Sequence, residues 1–295
     1  MKWRGKRQSS NVDDRRGQSS SGGGLSPMLL APLIKLLFSK VGLIIVGLVL
    51  VFSFVTGNNP LTFIGDFLGG GSQSVSSQPY QGTDKENKEA AFSATILAST
   101  EDVWNKVLDG YREPTLVLFT GSVSSACGYA SSATGPFYCP GDEKLYLDLS
   151  FFEDMENKMN APGDFAQAYV IAHEVGHHIQ KLMGTTDKVN RLRGQLSETE
   201  FNKYSVRLEL QADFLAGVWA NRSQNRSQMM EEGDLREALN AANAIGDDRL
   251  QRQSSGRVVP DSFTHGTSEQ RMRWFKKGFE TGDISQGDTF NAESL

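Results

Sequence analysis

The chain has 295 residues, enough for one or two domains, and its 38% hydrophobic and 22% charged content is that of a globular protein, not a disordered one. Its net charge of −5 is unevenly spread: residues 1–40 hold eight Lys and Arg against Asp13 and Asp14, a net +6, which leaves −11 on the other 255. An acidic body of this kind argues against a nucleic-acid partner, because phosphates are bound by a basic face.

In chain order, residues 1–35 are predicted to be a basic arm, solvated through residue 27 and flexible over "SSSGGGLSP". Residues 36–56, "LLFSKVGLIIVGLVLVFSFVT", are interrupted only by Ser39, Lys40 and Ser53. About 20 apolar residues cross the ~30 Å hydrocarbon core of a bilayer, so this run is predicted to span it and to make the lipid bilayer a partner. The long leader before it, and the absence of an A-x-A site in the following "GNNPLTF", favour an uncleaved signal anchor. The positive-inside rule then predicts a cytoplasmic arm and places everything after residue 57 across a bacterial inner membrane, in the periplasm.

Residues 57–90 are rich in Gly, Ser and Gln and read as a linker; residues 91–285 read as the folded domain, and 286–295 as a tail. The domain opens with a helical pattern over 90–110, apolar at Ile96, Leu97, Val103, Trp104, Val107 and Leu108. A strand is predicted at 115–120 and another at 143–152, where Leu145, Leu147, Leu149 and Phe151 alternate with polar residues. Between them lie Cys127 and Cys139, the two cysteines of the chain, with glycines and a proline to bend the loop. They are expected to form a disulfide, consistent with an oxidising compartment. Beyond residue 164 the periodicity is helical almost to the end, so the domain is predicted to be α+β.

Three of the four histidines lie in "IAHEVGHHIQ", residues 171–180, on a helix predicted over 163–184 and punctuated by Asp164 and Gly184. His173 and His177 are one turn apart and leave the same face, where two neutral imidazoles can bind one Zn²⁺. Glu174 lies about 100° further round and is placed to act on a metal-activated water as general base, the logic of H-E-x-x-H. His178 points elsewhere and is expected to pack or to hydrogen-bond. A catalytic zinc takes a third protein ligand. Glu209 is the first candidate, on a helix opened by Ser197 and Glu200 with Leu208, Ala212, Leu215 and Trp219 as its buried stripe; Asp213 and Cys139 are the alternatives. His265, just before a helix capped by Thr267 and Gln270, is a candidate catalytic donor to a developing oxyanion.

The E-x-x-x-D pattern of Glu209 and Asp213 resembles the Glu-zincins, which implies Glu209 as third ligand and Asp213 as the carboxylate that holds a ligand histidine. The arm "MKWRGKRQSSNVDDRRG", the apolar run, "HEVGHHIQ", "LELQADFLAGVWA" and "FTHGTSEQR" together resemble the bacterial family of neutral zinc metallopeptidases over nearly the whole chain. That resemblance implies a zincin-like metallopeptidase domain behind a membrane anchor, acting on a peptide or protein substrate. The alternative function is a membrane-tethered adaptor whose zinc is structural.

Overall fold

The structure, a computed structural model, describes residues 1–18 and 80–295, which form one compact unit. The apolar run at 36–56 lies outside the described residues, and no helix among them is long and apolar enough to cross a membrane.

Strand β1 is Val12–Asp14, and helix α1 runs from Asp84 to Val107. Thr83 and Glu86 close a reciprocal capping box at the start of α1, so the helix begins inside what the sequence presents as linker. Strands β2 (Thr115–Phe119), β3 (Ser122–Ser125), β4 (Gly128–Ser131), β5 (Phe137–Cys139) and β6 (Lys144–Asp148) follow. Helices α2 (Ser150–Asn157), α3 (Asp164–Leu182), α4 (Thr185–Leu192), α5 (Glu198–Ser227), α6 (Asp234–Ala244), α7 (Asp247–Ser255) and α8 (Ser268–Thr281) complete an α+β domain.

The main sheet has the order β1-β2-β6-β5, with β1, β2 and β6 parallel and β5 antiparallel to β6. β6 is therefore central, buried from Leu145 to Asp148. The period-2 pattern predicted to continue to Phe151 breaks at Asp148, whose Oδ1 accepts the Ser150 backbone N–H at 3.0 Å and so opens α2. Cys139 on β5 is bonded to Cys127 of the β3–β4 hairpin, as expected.

Two boundaries differ from the sequence reading. Residues 1–18 are not a solvated arm: β1 pairs with β2, Arg7 bridges Glu101 at 2.8 Å, and Trp3 meets Phe92 edge-on at 5.3 Å. These contacts hold residues 1–18 against α1 and β2. The end of the chain is likewise built in. Thr289 is fully buried, its hydroxyl donating to the Arg207 carbonyl at 2.6 Å.

The core gathers Trp104, Phe152, Phe165, Tyr169, Phe214, Trp219 and Phe275 from the sheet-side and domain helices. Burying each such side chain contributes about 1.5–3 kcal/mol. Two close crossings set the helices that matter. A Cβ on Gly176 of α3 would lie 2.9 Å from the Ala212 carbonyl oxygen of α5, and a Cβ on Gly278 of α8 would lie 2.0 Å from that of Phe214. Glycine at these points lets α5 run against both α3 and α8 at backbone contact.

Candidate metal centre

Gly176 precedes His177 on α3, and Ala212 lies between Glu209 and Asp213 on α5. The close crossing of the two helices therefore brings the predicted residues together. His173 Nε2 is 3.2 Å from His177 Nε2 and 3.2 Å from Glu209 Oε2, and His177 Nε2 is 3.5 Å from the same oxygen. Zinc holds four ligands tetrahedrally at about 2.0–2.1 Å, which sets them about 3.3 Å apart. The observed triangle has that size.

The outer nitrogens of both rings are committed. Asp213 Oδ1 accepts from His173 Nδ1 at 2.8 Å, and a carboxylate can only accept, so the proton is on Nδ1. Gln180 Oε1 lies 2.9 Å from His177 Nδ1; its amide nitrogen donates to the Leu208 carbonyl at 2.6 Å, which fixes the amide's orientation. Both Nε2 lone pairs consequently face each other and the Glu209 carboxylate. Three electron-rich atoms so close repel unless a ring proton or a metal cation lies between them, so the donor set fits a metal ion once the rings are neutral.

Without a metal, the neighbouring carboxylates favour protons on the two rings, the positive charge that a metal ion would replace. Burial opposes charge on His173, but Asp213 and Glu209 outweigh it and push its pKa up to about 10. Burial would raise Glu209, yet the neighbouring His177 and His173 hold it well below the usual carboxylate range. Burial raises Glu174, which is 9% exposed beside the triad and accepts a backbone hydrogen bond from Tyr138 on β5. Against the same cost, Arg271 and His173 bring Asp213 down to about 2.

Other sequence expectations fall into place unevenly. Asp213 turns both oxygens toward His173 and Arg271 and is absent from the metal-facing triangle, so the alternative in which it replaces Glu209 does not match the geometry. Cys139 is consumed by its disulfide and offers no thiolate. His178 is fully buried, with Nδ1 at 3.0 Å from the Tyr138 hydroxyl and Nε2 at 2.6 Å from the Arg112 carbonyl oxygen. His265 is half exposed, its Nδ1 3.2 Å from Asp247 Oδ1 and its charge felt by Glu209, which leaves Nε2 free of that contact. The strand predicted at 143–152 is internal to the sheet as β6, and β5 is the sheet edge that reaches Glu174.

Three supporting residues escaped the sequence reading. Arg271 on α8 is 2% exposed and donates to both Asp213 oxygens, at 2.8 and 2.9 Å. The Tyr169 hydroxyl donates to Asp213 Oδ1 at 2.5 Å, and Gln180 orients His177. Arg271 and Gln180 end the quoted words "FTHGTSEQR" and "HEVGHHIQ", which was the available signal.

A family model described as "Putative neutral zinc metallopeptidase" matches residues 1–290. The chain is 50% identical over 296 residues to the Escherichia coli K12 protein called "Uncharacterized protein YpfJ", covering 98% of this chain and 99% of that one. It is 42% identical over 207 residues to "Uncharacterized protein Mb2605" of Mycobacterium bovis, covering 67% and 69% respectively. No solved structure matches.

Proposed function

The chain belongs to that neutral zinc metallopeptidase family, and from this membership we propose that it hydrolyses peptide bonds at a zinc centre held by His173, His177 and Glu209. The observation that carries the reading is the triangle of 3.2, 3.2 and 3.5 Å among their inward-facing atoms. Zinc bound there supplies an acidified water and a polarised substrate carbonyl.

The chain's own residues do the rest. Glu174 is the general base: burial raises its proton affinity, so it can take a proton from the attacking water and deliver it to the leaving amine. Asp213, itself held by Arg271 and Tyr169, fixes the His173 tautomer, and Gln180 does the same for His177. His265, tied to Asp247 and close enough for its charge to act on Glu209, is proposed to donate to the developing oxyanion. The outer edge of β5 is proposed to receive extended substrate by strand addition, giving main-chain affinity with little sequence preference.

A structural zinc in an adaptor would close its shell with a fourth protein ligand; among the described residues this cluster comprises three. The oxidised Cys127–Cys139 pair supports an extracytoplasmic domain, and residues 36–56 are proposed as its attachment to the membrane. Hydrolysis of a casein-type substrate by purified full-length protein, blocked by chelator and restored by zinc, is the expected result. Zinc bound at one per chain with no hydrolysis of any peptide library would favour the adaptor.

A further inference from the structure

The second cluster of potential cation ligands lies at the other end of α3. Oxygens of Asp164, Asp234 and Glu237 lie within 4.8 Å of one another. Carboxylates packed so closely need a positive charge, and the structure supplies one: the α-ammonium of Met1. It lies 3.1 and 3.2 Å from the two Asp164 oxygens, 2.8 Å from Glu231 Oε2 and 3.6 Å from Asp234 Oδ1. The nitrogen is shielded from solvent, Asp234 is buried, and the Lys2 backbone N–H donates to the Met229 carbonyl at 2.7 Å. Three carboxylates from α3, the loop before α6 and α6 itself converge on an atom that exists only at a chain terminus.

We propose that Asp164, Glu231 and Asp234 form a receptor for the chain's own free α-ammonium, so that an unformylated, unextended and uncleaved Met1 is required for residues 1–18 to dock. The chemistry is selective. A formyl or acetyl group turns the ammonium into a neutral amide, which removes the charge and two of the three N–H donors. An added residue moves the charge away from the site and places an amide where the carboxylates meet. Removal of an N-terminal signal would also remove the ligand.

The docked arm has reach into the fold. It contributes β1 to the sheet, and Arg7 neutralises the buried Glu101 of α1. Arg16 bonds Asp14 and the Glu86 carbonyl while stacking over Tyr80 at 4.9 Å. The receptor is thus the terminal clasp of an element that covers α1 and extends β2.

The test compares full-length protein carrying a C-terminal tag and native Met1 with a form bearing Gly-Ser before Met1, and with an Asp234→Asn variant. Native-state trypsin should cut at Arg4, Lys6 and Arg7 at least tenfold faster in the extended form, and faster in Asp234→Asn. Competitive trace acetylation of the unmutated protein across pH reads the α-amine directly; it should titrate near 10, not near the ordinary 8. An extended chain as protected as the native one, or an α-amine titrating near 8, overturns the proposal. Neither readout uses metal or turnover, so its failure is distinct from failure of the metallopeptidase reading.

Discussion

Helix α3 carries two clusters, one at each end of a short stretch, and they differ in a way that separates a site for an external ion from a site already filled by the chain. Asp164 and His173 are nine residues apart, about 14 Å along the helix axis. At Asp164 the cluster is all carboxylate, partly open to water, and its cation is the Met1 ammonium. At His173 it mixes two imidazoles with one carboxylate, and each imidazole is held from behind by Asp213 or Gln180. An ammonium brings its own protons and asks only for acceptors. A zinc ion asks for lone pairs, and lone pairs must be aimed, so the metal cluster has a second layer of side chains, whereas Asp234 and Glu237 of the acidic cluster are held by the Glu231 and Phe165 backbone N–H groups. The presence of that layer, more than the number of ligand types, distinguishes the two.

The sharpest way to break the comparison is to remove a ligand that the second layer does not hold. Glu209→Ala should drop bound zinc well below one per chain and abolish hydrolysis with it, read by metal analysis of the purified protein. Loss of zinc from Asp213→Ala but not from Glu209→Ala would exchange the two assignments. Next in size is Glu174→Gln, which leaves the triangle intact and removes only the base. Turnover should fall by about 10²–10⁴ with zinc retained. Unchanged turnover in that variant would remove Glu174 from the mechanism.

The second layer itself is open to a stability test. Arg271→Met leaves Asp213 buried with one cationic partner fewer and should cost about 3–5 kcal/mol, measured by denaturant unfolding. A variant as stable as the parent would mean that His173 and Tyr169 suffice to compensate Asp213. Arg271 also marks the limit of what sequence disclosed. The H-E-x-x-H helix, the Glu209–Asp213 helix, the disulfide and the caps at Ser197 and Thr267 were legible because each depends on residues within a few turns of one another. Arg271 on an amphipathic helix reads as surface; what buries it is the α5–α8 crossing through Gly217 and Gly278, a relation between segments some 60 residues apart. β1 was invisible for the same reason, since its partner β2 begins about a hundred residues later and three residues carry no period. Where local pattern did mislead, at Leu149 and Phe151, a turn closed by the Asp148 side chain on the Ser150 N–H ended the strand that the alternation would have continued.

The smallest effect expected is also the one that sets the clusters against each other. The Met1 ammonium faces Asp164 on α3, Glu231 on the loop, and Asp234 and Glu237 on α6, with Lys2 beside it on its own segment. Burial opposes its charge, the carboxylates outweigh burial, and its pKa is raised from 8 to about 10. A group raised in the folded state contributes fully below its unfolded pKa and loses that contribution as pH rises through the folded one. Protection of the arm from trypsin, corrected for the enzyme's own pH profile, should therefore hold from about neutrality to pH 8, where the carboxylates stay ionised, and decline between about 8 and 10. The metal cluster must respond in the opposite sense, because protons compete with zinc for His173 and His177 and acid releases the ion. Alkali should loosen the arm while zinc stays bound; acid should strip zinc while the ammonium keeps its charge. Arm and metal lost together at one pH would show that the two clusters are a single cooperative unit, joined through the helix that bears them both.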